Sequence, residues 1–189
     1  MIIKQGTEDG MIEKAGPSWP PSASAGAYSS LTRADLGGAT KADQYYLERS
    51  YFRFNTSSVS SGATIISARL WFKLRKKANA DFNLQIQIYQ VNGDWNPLDT
   101  GDWGCGNTLV GTKNYVDLPA VDQWFSIDLN PSCINKGGIT AFETRGDHES
   151  GTAPTGENVV EVYTADSTGN EPYLEITLST GAMLLMFLS

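Results

Sequence analysis

Histidine occurs once in this chain of 189 residues, at His148, and cysteine only twice, at Cys105 and Cys133. Two cysteines cannot build a disulfide framework or a four-cysteine zinc site, and whether they pair with each other is not set by their spacing. The lone histidine lies in Arg145-Gly146-Asp147-His148-Glu149-Ser150-Gly151. Neighbouring residues there cannot readily orient one another as base and nucleophile, and no G-x-S-x-G turn occurs. Phosphate-binding glycine loops, His-x-x-x-His, Cys-x-x-Cys and EF-hand spacings are also missing. The chain therefore reads as non-catalytic, with no home for an organic cofactor.

Long apolar runs are missing as well. The tail Met183, Leu184, Leu185, Met186, Phe187, Leu188 is apolar but far short of the roughly 20 residues that span a bilayer as a helix. No membrane span is expected, and the tail needs another burial partner. The opening Met1-Ile2-Ile3-Lys4-Gln5-Gly6 lacks the charged and apolar regions of a secretory signal, so synthesis is expected to end in the cytoplasm. Basic residues number 14 against 21 acidic ones, a net charge of −7. That balance opposes nucleic acid and anionic membranes as partners. The basic cluster Arg69, Lys73, Arg75, Lys76, Lys77 is the local exception. Alternation puts Arg69, Lys73 and Arg75 on one strand face with Trp71, either a solvated face or a contact for an anion or acidic glycan. Arg145-Gly146-Asp147 matches an integrin-type tripeptide or a plain turn.

What the sequence has in quantity is turn residues, 19 Gly and 8 Pro, and 40% hydrophobic residues, enough for one all-β domain of this length. Residues 1–48 read as an N-terminal strand and a long ordered loop, the loop being the Pro/Ser/Ala/Gly-rich stretch from Gly16 to Thr40. From Arg49 the pattern turns to alternation. Phe52 and Phe54 face inward in 50–55, Ala68, Leu70, Phe72 and Leu74 in 66–76, Phe82, Leu84, Ile86 and Ile88 in 81–91, and Phe125, Ile127 and Leu129 in 124–129. Strands over 139–145, 159–164 and 172–178 complete a body spanning 49–179, with 180–189 as an attachment tail. No apolar stripe of helical period is long enough to bury these faces. Strands must therefore cover strands, which predicts an antiparallel two-sheet β-sandwich.

Four segments resemble the DNRLRE-domain family. They are Asp9-Gly10-Met11-Ile12; Arg49 to Phe54 running on through Ser61 to Leu70; Tyr89-Gln90-Val91 with Trp95; and Pro172-Tyr173-Leu174-Glu175-Ile176. The resemblance implies a jelly-roll module, carbohydrate-binding-module-like, used for surface attachment, glycan binding or particle decoration, with no catalytic residues to carry over.

Aromatic faces stack on sugar rings while Asp and Asn bond hydroxyls, which makes Trp95, Asn96, Asp99, Asp102 and Trp103 the candidate glycan-binding set. Loop carboxylates at Asp94, Asp99, Asp102, Asp117, Asp122, Asp147, Glu149 and Glu157 leave calcium possible. The reading that unites these features is a non-catalytic structural protein of a bacteriophage or viral particle, such as a capsid decoration, head-surface or tail component. It is expected in the virion, partnered with other subunits or copies of itself through the tail Met183 to Leu188. The alternative is an extracellular or cell-surface carbohydrate-binding or adhesion module.

Overall fold

Runs in which every second side chain is apolar fold as strands because successive side chains point to opposite faces. The computed structural model describes residues 1–4, 9–29, 32–79, 81, 83–93 and 97–179. In chain order the strands are β1 (Ile2–Lys4), β2 (Asp9–Gly16), β3 (Ala23–Ser29), β4 (Arg33–Asp35), β5 (Ala39–Lys41), β6 (Tyr45–Asn55), β7 (Ile65–Asn79), β8 (Gln85–Val91), β9 (Gly106–Asn114), β10 (Trp124–Leu129), β11 (Ile139–Gly146), β12 (Glu157–Tyr163) and β13 (Tyr173–Leu178). Short 3-10 turns occupy 100–102, 115–117 and 131–133, and no α-helix occurs among the described residues.

Every pairing of these strands is antiparallel. The first part of β7 lies between β10 and β13, with β1 beyond β13. Its last part pairs with β12 instead. Glu161 sits opposite Lys76 but Val162 opposite Leu74, leaving Arg75 as the extra residue of a bulge. A bulge bends its strand and raises the twist, and this one falls where β7 passes from one group of strands to the next. Beyond β12 the ladder runs through β5, β6, β11 and β8 to β9, with β4 on β12, β2 on β6 and β3 on β2.

The fold is all-β and sandwich-like. Phe52 of β6 meets Phe72 of β7 edge to face, centroids 5.0 Å apart, although the two strands share no ladder. The faces therefore stack. The core between them takes Phe52, Phe54, Ala68, Leu70, Phe72, Leu74, Leu84, Ile86, Ile88, Phe125, Ile127, Leu129 and Phe142, with Val160, Val162, Leu174 and Ile176. Each large side chain fully buried there contributes about 1.5–3 kcal/mol. Every residue named from alternation as inward-facing is buried, apart from Phe82, which lies outside the described residues.

The stretch from Gly16 to Thr40 differs from the expected loop. It holds β3, β4 and the start of β5, strands of small or polar residues whose ladder hydrogen bonds, not an alternating apolar face, hold them. Strand β6 likewise begins at Tyr45, ahead of Arg49, and β9 carries no regular alternation, Val110 being its one apolar core residue.

Candidate functional site

The outward face of the β10–β7–β13 group carries the most distinctive surface. Register puts Tyr173 beside Trp71 and Glu175 beside Arg69 on one flank of β7. On the other flank it puts Ser126 beside Trp71, Asp128 beside Arg69 and Trp124 beside Lys73. Because Leu70, Phe72, Phe125, Ile127, Leu174 and Ile176 take the inward positions, all of these residues share the outer face. Trp71 and Tyr173 stack nearly parallel, centroids 5.6 Å apart at 12°. Trp124 leans on Tyr173 at 5.3 Å and is 37% exposed.

Polar groups fix these rings. Trp71 Nε1 donates to Glu175 Oε2 at 2.9 Å, and Arg69 Nε donates to Asp128 Oδ1 at 2.8 Å. Lys73 Nζ donates to Asn170 Oδ1 at 2.9 Å and lies 5.6 Å from the centre of the Tyr163 ring. Partial burial, then the Glu175 charge, hold the Tyr173 phenol above its ordinary pKa, so it stays a neutral donor and acceptor. Ile2 on β1 extends the face with a side chain 65% exposed. The result is three aromatic rings bordered by carboxylates, a guanidinium and hydroxyls.

Where it is described, the loop expected to bind glycan also holds structural partners. Asp99 and Asp102 cap one 3-10 turn reciprocally: Asp99 Oδ1 accepts from Gly101 N at 2.6 Å, and Asp102 Oδ2 accepts from Asp99 N at 2.9 Å. Trp103 packs with Leu98 and Cys105 on a second small core of Ile12, Tyr51, Val91 and Ala141. The Arg49 guanidinium lies 4.2 Å and the Lys14 ammonium 4.4 Å from its ring centre. Trp95 and Asn96 lie outside the described residues, as do Asp94 and the tail Met183 to Leu188.

Beneath Trp103 runs an ion network that no local sequence pattern announces. The fully buried Glu143 carboxylate accepts from Arg49 Nη1 at 2.8 Å, Arg145 Nε at 2.5 Å and the backbone N of Gly106 at 2.8 Å. Glu149 Oε1 accepts from Arg49 Nε at 2.8 Å. Arg145 is thus committed inward, and Gly146 pairs with Ile86 in the β11–β8 ladder. Arg145-Gly146-Asp147 is a strand end, not a displayed tripeptide. His148 Nδ1 meets Asp147 Oδ1 at 2.5 Å, and that oxygen also accepts from Gln85 N at 2.9 Å.

The loop acids are dispersed among separate partners. Asp117 accepts from Asn114, Asp122 from Tyr163, and Glu157 from Lys76. Among the described residues, no three His, Cys, Asp or Glu side chains are grouped to hold a metal ion. Cys105 and Cys133 are both free thiols, each pushed up to about 12, first by burial. Among the described residues no helix is long and apolar enough to cross a membrane. Neither a protein-family model nor a curated protein sequence matches the chain.

Proposed function

We propose that this chain is a non-catalytic attachment module of the DNRLRE type, built as a two-sheet jelly roll and displayed on a bacteriophage or viral particle, and that it grips carbohydrate through the outer face of β10, β7 and β13. The observation that carries the reading is the Trp71, Tyr173 and Trp124 cluster on an open sheet face. Aromatic faces supply apolar area at low conformational cost, and the surrounding Glu175, Asp128, Arg69 and Ser126 supply donors and acceptors for hydroxyls. A flat strand surface suits an extended or surface-bound polysaccharide better than a small free metabolite, which needs an enclosing pocket.

Of the resemblance segments, Asp9 to Ile12, Arg49 to Phe54, Tyr89 to Val91 and Tyr173 to Ile176 lie on strands, as a jelly-roll module requires. The particle setting rests on the apolar composition of Met183 to Leu188, which suits burial against a neighbouring subunit. Affinity electrophoresis in gels cast with a panel of polysaccharides tests the glycan claim. At least one polysaccharide should retard the wild-type chain, and Trp124→Ala should migrate faster in that gel. Equal mobility of both proteins in every gel would refute the assignment.

A further inference from the structure

At the end of the core next to β4 and β5, apolar packing gives way to a cavity of about 320 Å³ lined by Arg33, Asp35, Tyr46, Glu48, Glu157 and Glu161 among others. This is the low end of the range for small-ligand sites. Strand pairing concentrates carboxyls here. Glu13 lies directly across from Glu48 in the β2–β6 ladder, and Asp35 directly across from Glu161 in the β4–β12 ladder. Like charges facing each other across strands destabilise a sheet.

Cations answer only part of that charge. From β12, Glu161 Oε1 accepts from Arg33 Nη1 at 2.8 Å and its Oε2 pairs with Arg75. Lys76 pairs with Glu157 at 2.5 Å and stands 4.0 Å from Glu161. The bulge in β7 is what sends Arg75 and Lys76, consecutive in sequence, to acids of the same strand. Asp35 is left out. It is 1% exposed, and neither of its carboxylate oxygens receives a hydrogen bond. Arg33 Nη1 comes no closer than 3.9 Å. The group against Asp35 is Glu48, another carboxyl, 8% exposed, so a bond between the two requires a proton that neither carboxylate carries when ionised. Five carboxyls from β2, β4, β6 and β12 thus face three cations, with the Tyr46 phenol at the rim.

We propose that this cavity binds a primary ammonium group, whose three N–H donors would serve the two Asp35 oxygens and Glu48. The chemistry fits a donor-only cation: the unmet groups are all acceptors, they are buried, and the side chains are not grouped as a metal cage. In the absence of such a ligand the same need is met by protons. Burial first, and neighbouring negative charges second, raise Asp35 to about 7 and Glu48 well above its ordinary value, and burial also raises Glu13. Ammonium and protons therefore compete for one place.

Methylammonium, titrated into the full chain at pH 8 and followed by two-dimensional NMR, is the direct test. Saturable shifts centred on Asp35, Glu48 and Glu161 are expected, and affinity should fall at least fivefold at pH 5, where protons occupy the carboxyls. Tetramethylammonium has the same charge without N–H donors and should bind at least tenfold more weakly. Asp35→Asn should weaken methylammonium at least tenfold while melting no lower than wild type at pH 8, because it removes a buried charge. Glu48→Gln provides the same comparison should Asp35→Asn not fold. The proposal is overturned by the absence of saturable binding to wild type, by equal binding of the two cations, by unchanged affinity in these variants, or by calcium producing the same shifts at lower concentration.

Discussion

Removal of the Glu143 carboxylate should be among the most damaging single changes on the polar side of this molecule. Glu143 is fully buried and is the common acceptor for Arg49, Arg145 and the Gly106 amide. Arg49 is 8% exposed, so in Glu143→Ala its guanidinium keeps Glu149 but loses its innermost partner, and the Gly106 N–H is left without an acceptor. Breaking a buried pair by deleting one member costs about 3–5 kcal/mol, because the other charge stays buried and uncompensated. For a chain of this length each kcal/mol lowers the melting temperature by about 2–4 °C, so a drop of about 6–20 °C is expected by calorimetry. Glu143→Gln keeps an acceptor for Gly106 and should lose less. Adding Arg145→Ala to Glu143→Ala should recover part of the loss, since it removes one stranded cation. A cost below about 1 kcal/mol for Glu143→Ala by urea unfolding would refute this account of how the 97–106 loop is fastened to the sheet.

Stability should also follow pH with an acidic optimum. Asp9 is raised to about 6 and Asp35 to about 7, burial being the first cause in both. Each holds a proton in the fold that the unfolded chain has released, so their contribution is complete below about pH 4 and is lost as pH rises through 6 and 7, on the order of 3 kcal/mol for Asp9 alone. Asp81, lowered to about 2 by hydrogen bonds from Thr155 and Asn158, acts oppositely, contributing above about pH 4 and losing that contribution as pH falls. Urea midpoints should therefore be higher at pH 5 than at pH 8, and the reverse order would contradict the assignment. Gly37→Ala should cost several kcal/mol, because Gly37 has φ of +99° and an added Cβ would lie 1.9 Å from the Gly146 nitrogen. A Gly37→Ala protein with wild-type melting temperature would show that the close approach of these two backbones is wrong.

Strands with one face on the core and one on solvent were legible because alternation is all they need, and β10 runs from Trp124 to Leu129 as the pattern of Phe125, Ile127 and Leu129 requires. Strands β3 and β4 were not, since the Ala, Ser and Gly of β3 offer little alternation, Arg33-Ala34-Asp35 of β4 is too short to show a period, and the order of both comes from their strand partners. The burial of Tyr51 was not legible either: the loop through Trp103 folds over the far side of β6 and covers it completely. The aromatic face was half legible. Alternation already set Trp71 outward between Arg69 and Lys73, but bringing Tyr173 and Trp124 to it takes the β13 and β10 registers, which local pattern does not encode. Asp35 and Glu48 were invisible for the same reason, their meeting being a product of strand packing alone.

The measurement that bears most directly on the proposed function is a glycan array probed with three proteins: wild type, Trp71→Ala/Trp124→Ala, and Trp103→Phe, each with its fold verified by circular dichroism. The account predicts a defined set of bound glycans for wild type, their loss in the double variant, and their retention in Trp103→Phe, whose ring serves Arg49 and Lys14. Binding that survives in the double variant, or disappears with Trp103→Phe, would contradict it.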